Sequence, residues 1–226
     1  MHKEKALQII AENKKSYNAI AEDFDVTRQY IWPEFELLGK FIKKENRVLD
    51  IGCGNGRLLK FLITNYDGVD QSEELIKIAY KNYPNANFQV ADVFHLPFED
   101  ASFDVVAGIA FLHHIPSREF RLKVLKEIHR VLKIGGILFL TNWNLFRWEI
   151  ISHNIKRNKM NPLHFFFSHD EMDAGDFWMP YRTKEKIVPR YYHHFRKQEI
   201  QKLCKEAGFN LFKYKKGKNN IIILEK

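Results

Sequence analysis

A run of glycines directly after a short apolar strand constrains this chain more than any other feature. Residues 48–58 read VLDIGCGNGRL, with glycines at positions 52, 54 and 56. Glycines at this spacing let the backbone pass close to a ligand and expose amide donors ahead of a helix. The third glycine comes one residue earlier than in the dinucleotide fingerprint Gly-x-Gly-x-x-Gly, and Asp50 stands two residues before the first. An acidic residue there favours a cationic or amine-bearing ligand over a pyrophosphate, although a tight turn without a ligand would use the same glycines.

Two further aspartates follow the next two predicted strands. Asp70 ends the strand 67–70, 20 residues after Asp50, and Asp92 follows the strand 87–91. A carboxylate at the position of Asp70 can accept both hydroxyls of a ribose, as the ribose-binding acid of nucleotide folds does. Because ligands of parallel sheets bind beyond the carboxyl ends of the strands, we expect the three acids to line one site. Each alone could cap a loop or helix, and Asp70 with Ser72 behind it partly fits that alternative.

Helices and strands alternate along the chain, which predicts an α/β fold with a doubly wound, mostly parallel, seven-stranded sheet. Helices are predicted at 3–23, 33–44, 55–63, 72–82, 117–132 and 196–207. Strands are predicted at 47–51, 67–70, 87–91, 103–110, 137–141, 209–215 and 220–225. Since no helix separates the last two strands, one antiparallel edge strand is expected. We interpret residues 1–226 as one domain with a helical cover (1–44), a core that binds the ligand (45–142), an aromatic and basic insertion that covers the substrate (143–195) and a C-terminal helix with a strand pair (196–226).

The positive charge is concentrated in the last third of the chain. Residues 1–146 contain 19 Lys and Arg against 19 Asp and Glu, whereas residues 147–226 contain 17 against 9, so the whole net charge of +8 lies there. Positive charge interleaved with aromatic side chains is typical of a surface that binds a polyanion such as RNA. A solvated lysine-rich surface would show the same composition.

Other classes of protein are disfavoured by composition. No apolar run approaches the roughly 20 residues that span a membrane, and the N-terminus MHKEKALQII lacks the apolar core of a signal peptide. Two cysteines, Cys53 and Cys204, make neither a disulfide framework nor a metal site, and the histidines show no zinc-like spacing. We therefore expect a cytoplasmic protein without a bound metal.

The glycine run resembles the first motif of class I S-adenosylmethionine-dependent methyltransferases, which have a Rossmann-like fold. Four further elements resemble the eukaryotic and archaeal methyltransferases that esterify 5-carboxymethyluridine at the wobble position of tRNA. In chain order they are F-x-x-T-R-x-x-x-W-P at 24–33, IAFLHHI at 109–115 with TNWN at 141–144, GDFWMPY at 175–181, and PRYYHHF at 189–195. The resemblance covers nearly the whole chain, and the Thr-Arg/Trp-Pro and Arg-Tyr-Tyr-His elements are its most specific parts.

The resemblance implies that S-adenosylmethionine is the cofactor, with Asp70 on the ribose and Asp92 near the adenine. The implied cofactor-binding residues are Asp50, Gly52, Cys53, Gly54, Asn55, Gly56, Asp70, Gln71, Asp92 and Val93. It also implies tRNA as substrate and a small zinc-binding activator protein as a partner. The same chain could instead be a small-molecule O-methyltransferase acting on a carboxylate or phenol, or a cofactor-binding partner protein without activity.

An esterification suggests which side chains act on the acceptor. A carboxylate is already ionised at neutral pH, so the site needs a cation to hold it and a ring to stack on the base rather than a strong base. The side chains expected to act in the transfer are Arg28, His114 and Trp143. Those expected to bind the substrate are Trp32, Arg190, Tyr191 and His193. Alternatively, Arg28 forms a surface ion pair, His114 caps a loop, Trp32 packs in the core, and the other three brace the insertion.

Overall fold

The structure, a computed structural model, describes residues 1–62, 64–144 and 171–226. Its strands, numbered in chain order, are β1 Arg47–Ile51, β2 Asn65–Asp70, β3 Asn87–Val90, β4 Phe103–Ile109, β5 Leu132–Trp143, β6 Asp176–Arg182, β7 Ile187–His193, β8 Asn210–Lys215 and β9 Asn219–Glu225. Its α-helices are α1 Lys3–Ala19, α2 Ala21–Thr27, α3 Pro33–Gly39, α4 Glu73–Asn82, α5 Arg118–Val131 and α6 Lys197–Glu206. Short 3-10 helices cover Arg57–Lys60 and Leu112–His114. Residues 145–170 of the predicted insertion and the last residue of the helix predicted at 55–63 lie outside the described residues.

Within the described residues, seven strands form one sheet in the order β3-β2-β1-β4-β5-β9-β8. The pairs among β1 to β5 are parallel, and β9 runs antiparallel to both β5 and β8. The predicted fold class is therefore confirmed, but the antiparallel strand, β9, lies inside the sheet between β5 and β8 and not at its edge as predicted. The edge strand β8 is antiparallel to β9 and so runs in the direction of β5. The strand order reverses between β1 and β4, which is where a fold of this type binds its ligand.

The sheet is buried on both faces, because successive side chains of a strand point to opposite sides. Leu49 of β1 and Ile222 of β9 pack against α5 and α6 on one face. Val48 and Ile221 pack against α3 and α4 on the other. Strands covered on both sides explain why these segments are continuous apolar runs in the sequence.

The predicted helix boundaries were wrong at three places, one of which is the helix predicted at 33–44, since it ends at Gly39. The first predicted helix is divided at Ile20, whose φ of −113° and ψ of 7° leave the helical region while its side chain is buried. The helix predicted at 55–63 is a single 3-10 turn, since the amides of Leu59 and Phe61 bond the carbonyls three residues earlier. It therefore has neither the length nor the dipole of a regular α-helix.

β5 is longer than predicted, because its expected entry turn is itself part of the sheet. The amide of Gly135 donates to the carbonyl of Lys226, and the amide of Lys226 donates to the carbonyl of Gly136. The C-terminal residue thus pairs with the segment that composition alone marks as a turn.

A two-stranded sheet of β6 and β7 was not predicted from the sequence. The strands pair antiparallel, from Asp176 opposite His193 to Arg182 opposite Ile187. An isolated hairpin is marginally stable in water, so its position depends on what it packs against.

A buried cluster of charged side chains attaches the hairpin to the helices of the main sheet. Asp176 Oδ1 accepts hydrogen bonds from Arg121 Nη2 at 3.0 Å, from the Tyr191 hydroxyl at 2.6 Å and from His193 Nδ1 at 2.6 Å. His193 Nε2 lies 2.7 Å from Glu199 Oε1. Carboxylate oxygens only accept, so each ring nitrogen of His193 that carries a proton donates to the carboxylate beside it. Burial opposes ionisation of Asp176, but the hydrogen bond from His193 and the charge of Arg121 outweigh it and lower the pKa of Asp176.

We predict that Asp176→Ala lowers the free energy of unfolding by about 3–5 kcal/mol, because it removes the buried carboxylate that Arg121, Tyr191 and His193 share and leaves them only the more exposed Glu199. Urea denaturation at pH 7 measures the effect. Glu185→Ala, an exposed residue of the same hairpin, is the matched control and should change stability by less than about 0.5 kcal/mol. A loss below about 1 kcal/mol for Asp176→Ala would show that the hairpin is held by its apolar contacts instead.

Candidate active site

A cavity of about 420 Å³ opens where the sheet order reverses. Its walls come from the glycine loop after β1, the ends of β2 and β3, the loop after β4, the N-terminal helices and β7. This volume lies in the range of pockets that enclose a small molecule. Three aspartates at the ends of β1 to β3, Asp50, Asp70 and Asp92, line what we call the acidic part of the cavity, and Arg190 with Tyr17, Tyr192 and Trp143 lines what we call the aromatic part.

The amides of the glycine loop turn inward, which differs from the expectation that they face a ligand. Those of Gly52 and Cys53 donate to the carbonyl of Val69, and that of Gly54 donates to Asp70 Oδ2 at 3.0 Å. Gly52 has a φ of +69°, and a Cβ there would lie 2.8 Å from the ring of Phe111. The glycines therefore allow neighbouring side chains to pack closely against the loop. The loop does not present a cluster of amide donors to a phosphate.

Asp50 gives the cavity a buried carboxyl group. It is 3% exposed, and its Oδ2 accepts a hydrogen bond from the Tyr66 hydroxyl at 2.9 Å. Burial raises the pKa of Asp50 from 3.8 to about 7, although the hydrogen bond from Tyr66 and the charge of Arg57 oppose the rise. A cationic ligand group placed beside Asp50 would favour the ionised carboxylate. The attraction between the two charges would in turn strengthen binding of the ligand.

Asp70 connects the glycine loop to β2 and still faces the cavity. Its two oxygens accept the amides of Gly54 and Ser72, at 3.0 and 2.9 Å. Each carboxylate oxygen can accept about two hydrogen bonds, so Asp70 can also accept hydroxyl groups of a ligand. Burial raises the pKa of Asp70, while hydrogen bonds from Ser72 and Gly54 oppose the rise.

Most of the other residues predicted to bind the cofactor line the same cavity: Gly52, Cys53, Gly54, Asn55, Gln71, Asp92 and Val93. Asn55 Oδ1 is buried and has no partner within the described part of the chain, whereas its Nδ2 donates to Asp25. Gly56 is not among the lining residues; a Cβ there would lie 2.7 Å from the ring of Phe88. The structure thus brings all the predicted cofactor-binding residues except Gly56 to the cavity.

Arg190 lies in the aromatic part of the cavity. It is 4% exposed, and its guanidinium carbon lies 4.8 Å from the ring centre of Tyr181, 5.2 Å from that of Tyr192 and 5.9 Å from that of Tyr17. Within the described residues it has no carboxylate partner, and its Nε has no hydrogen-bond acceptor. A buried guanidinium without an anion is costly, so this position favours an anionic ligand.

His114 is a buried, neutral imidazole whose ring nitrogens both make directed hydrogen bonds. Its Nδ1 lies 3.0 Å from the carbonyl of Tyr191, which can only accept, so Nδ1 carries the proton. Nε2 therefore accepts from the Tyr17 hydroxyl at 2.9 Å, and the Tyr17 oxygen accepts from Arg190 Nη1 at 3.5 Å. Burial lowers the pKa of His114 to about 3. His114 orients Tyr17, and through it Arg190, with no nitrogen left over for a substrate.

The other residues predicted for the substrate half also line the cavity. Trp143 stacks on Tyr192, with ring centres 5.4 Å apart. Trp32 is 7% exposed, and the guanidinium of Arg57 lies 4.1 Å from its ring centre. Arg28 is half-buried at the cavity, and its side chain donates hydrogen bonds only to Thr27 within the described residues. Burial raises the pKa of the Tyr192 phenol, and the charge of Arg190, whose guanidinium carbon lies 5.2 Å from the Tyr192 ring centre, opposes the rise.

Tyr191 and His193 do not reach the cavity. Their polar atoms are engaged in the cluster around Asp176, and both side chains are at most 1% exposed. Side chains alternate along a strand, so Arg190 and Tyr192 point one way while Tyr191 and His193 point the other. The arrangement therefore supports the alternative that these two residues brace the insertion.

Sequence reasoning missed Tyr17, Tyr181 and Tyr192, which surround Arg190. Reading residues 187–193 as a strand would have placed Tyr192 on the face of Arg190, because the two are separated by one residue. No comparable signal marks Tyr17, which reaches the cavity only through the packing of α1 against β7.

Two searches of the described residues were negative. They contain no group of three or more His, Cys, Asp or Glu side chains arranged to hold a metal ion. None of their helices combines the length and the apolar character that crossing a membrane requires.

Comparison with known proteins identifies relatives of this chain. The family model for the methyltransferase domain matches residues 49–140. A protein of Encephalitozoon cuniculi named as a methyltransferase is 30% identical over 212 residues, which cover 93% of each protein. The tRNA (carboxymethyluridine(34)-5-O)-methyltransferase of Schizosaccharomyces pombe is 29% identical over 225 residues, which cover 90% of this chain and 91% of that protein.

Solved structures show the same fold. A SAM-dependent methyltransferase from Methanosarcina mazei superposes with a TM-score of 0.66 at 24% identity, covering 87% of this chain and 98% of that one. A chain of the complex between the Haloferax volcanii Trm112 methyltransferase activator and a methyltransferase gives a TM-score of 0.66 at 17% identity, covering 94% and 96%.

The raised pKa of Asp50 predicts a pH-dependent cost in the free protein. Above pH 4 the unfolded carboxyl ionises while the folded one keeps its proton to about pH 7. Stability is therefore lost as pH rises through this window, by at most about 4 kcal/mol. Asp50→Asn has no proton to lose and can still accept from Tyr66, so we expect it to be about 1–4 kcal/mol more stable than the wild type at pH 8.

Urea unfolding of both proteins at pH 4.5 and pH 8 measures this difference, which should vanish or reverse at the lower pH. Asp92→Asn, at an exposed carboxyl of the same cavity, is the control and should track the wild type. If the free energy of unfolding depends on pH in the same way for the wild type and Asp50→Asn, Asp50 is ionised in the free protein.

Proposed function

Because this chain belongs to the class I S-adenosylmethionine-dependent methyltransferases, we propose that it methylates a carboxylate carried by RNA. The acceptor we infer is the 5-carboxymethyl group of a wobble uridine in tRNA, which becomes a methyl ester. The observation that carries this proposal is Arg190, a buried guanidinium with no carboxylate partner within the described residues, held at the cavity by three tyrosines. The name of the Schizosaccharomyces pombe relative supports the same acceptor.

The acidic part of the cavity fits the cofactor. When bound, S-adenosylmethionine supplies a transferable methyl group on a positively charged sulfonium. In this proposal Asp50 faces the ammonium group of the amino acid part. Asp70 accepts hydrogen bonds from the ribose hydroxyls, and Asp92 lies near the adenine. Gly52, Cys53, Gly54, Asn55, Gln71 and Val93 form the remaining wall, and Gly56 shapes the loop behind it.

The arginines hold the acceptor. Arg190 and Arg28 bind the carboxylate oxygens, and a planar guanidinium can give two parallel hydrogen bonds that fix their direction. The carboxylate is already ionised, so no side chain has to remove a proton, which agrees with a neutral, fully hydrogen-bonded His114. The protein's contribution is then mainly orientation, which can supply roughly 7–11 kcal/mol. Trp143 and Trp32 form the aromatic wall beside the base.

An assay with methyl-labelled cofactor tests the acceptor class, on bulk tRNA and on a metabolite extract, with and without a small activator protein of the Trm112 type. We expect label in tRNA that mild alkali releases, as a methyl ester requires. Label only in the metabolite fraction would instead support a small-molecule methyltransferase. If no acceptor is labelled under either condition, the chain is a cofactor-binding partner and the proposal fails.

The proposed carboxylate contacts predict a specific loss on conservative substitution. Arg190→Lys and Arg28→Lys keep the charge but not the planar fork, so each should lower the single-turnover rate roughly tenfold or more, about 1.4 kcal/mol of barrier. Cofactor affinity, measured by calorimetry, should not change. Arg182→Lys, at an exposed position of the same hairpin, is the control. Wild-type rates in Arg190→Lys would remove the carboxylate contact from the mechanism.

A further inference from the structure

A second cavity of about 680 Å³ lies beside the first, between α6 and the closing strands. Among the described residues, Phe195, Tyr214 and Asn220 supply its apolar and amide surface. Asn220 is 5% exposed, and its Oδ1 has no hydrogen-bond partner within the described residues. An acceptor buried in this way favours a ligand that brings an N–H or O–H donor. The half-buried ring of Tyr214 provides a surface on which a planar group can stack.

Three cations surround this cavity: Arg196, Lys197 and Lys216. All three are exposed, and none has a carboxylate partner within the described part of the chain. Lys197 Nζ lies 5.3 Å from the ring centre of Tyr214, so charge and aromatic surface adjoin. Burial, His193 and the charges of Arg196 and Lys216 together lower the pKa of His194 to about 4, while the charge of Glu199 opposes the change.

The two cavities are neighbours along two segments of the chain. Trp143 lines the first and Asn144 the second. Tyr192 lines the first and His194 the second, and two residues of extended backbone span about 7 Å. A polymer with its reacting unit in the first cavity would therefore reach the second with the adjoining unit.

We propose that the second cavity binds the nucleotide adjacent to the acceptor in the RNA, an inference that rests on the proposed function. The base stacks on Tyr214, and one of its N–H groups donates to Asn220 Oδ1. The flanking phosphates contact Lys216, Lys197 and Arg196. Single-stranded RNA is commonly bound by this combination of ring stacking, edge hydrogen bonds and cations along the backbone.

The chain offers a matched pair of charge-reversal variants. Tyr214 lies opposite Ile222 in the sheet, on the face of α6, whereas Lys213 and Lys215 lie opposite Ile223 and Ile221, on the other face. Lys197→Glu/Lys216→Glu therefore changes the second cavity, and Lys213→Glu/Lys215→Glu makes the same change in charge away from it.

The test is fluorescence anisotropy of a labelled tRNA anticodon stem-loop over a range of salt concentrations, with calorimetry of S-adenosylmethionine to verify folding. We expect Lys197→Glu/Lys216→Glu to weaken RNA binding at least tenfold and to reduce the slope of log affinity against log salt by about two. The variant Lys213→Glu/Lys215→Glu should stay within about threefold of the wild type. Tyr214→Leu, which keeps an apolar side chain, should weaken binding about fivefold or more.

Binding is measured without methyl transfer, so this result is separate from the proposed function. If the wild type binds the stem-loop and only Lys197→Glu/Lys216→Glu and Tyr214→Leu lose affinity, binding of RNA at the second cavity is supported even when tRNA is not methylated. The inference is overturned if the wild type does not bind the stem-loop, if the two charge-reversal variants weaken binding equally, or if Tyr214→Leu binds like the wild type.

Discussion

The ion cluster around Asp176 is the interaction on which the aromatic part of the cavity depends. β6 and β7 form a sheet of their own, and a hairpin of that size is not stable without support. Asp176 accepts hydrogen bonds from Arg121 of α5 and from Tyr191 and His193 of β7. The face of β7 that carries Tyr191 and His193 is thereby fixed to the main fold. Because side chains alternate, fixing that face also fixes Arg190 on the other. A one-residue shift of β7 would exchange the two faces and remove the cation from the cavity.

Each of the two parts of the cavity contains a buried ionisable group that a ligand of opposite charge would stabilise. In the acidic part, burial holds Asp50 partly protonated near neutral pH. In the aromatic part, Arg190 is buried among rings with no carboxylate beside it in the described residues. Each arrangement costs stability in the free protein and is relieved by a ligand group of opposite charge. This is the pattern expected when a cationic donor and an anionic acceptor must meet in one enclosed site.

The sequence was sufficient for the fold class and for the acidic part of the site, since both follow from local patterns. Asp50, Asp70 and Asp92 stand at ends of parallel strands, and the fold brings such ends together. The hairpin was not predicted, because its prolines and mixed polarity give no clear alternation. The inward amides of Gly54 and its neighbours were also beyond prediction, since their acceptors, Val69 and Asp70, belong to the next strand.

Charge composition located the basic last third but could not distinguish lysines that share a strand. Lys213 and Lys215 project from the face of β8 opposite to Tyr214, while Lys216 follows the strand and lines the second cavity. Lys213 and Lys215 differ from Lys216 because side chains alternate along β8 and because β8 ends at Lys215. Neither feature alters the net charge. A polyanion bound beside the first cavity would meet Lys216 and Lys197 at short range, whereas Lys213 and Lys215 would act on it only through the screened electrostatic field. The position of a charge relative to the sheet, rather than its number, therefore decides which of these residues can select a substrate.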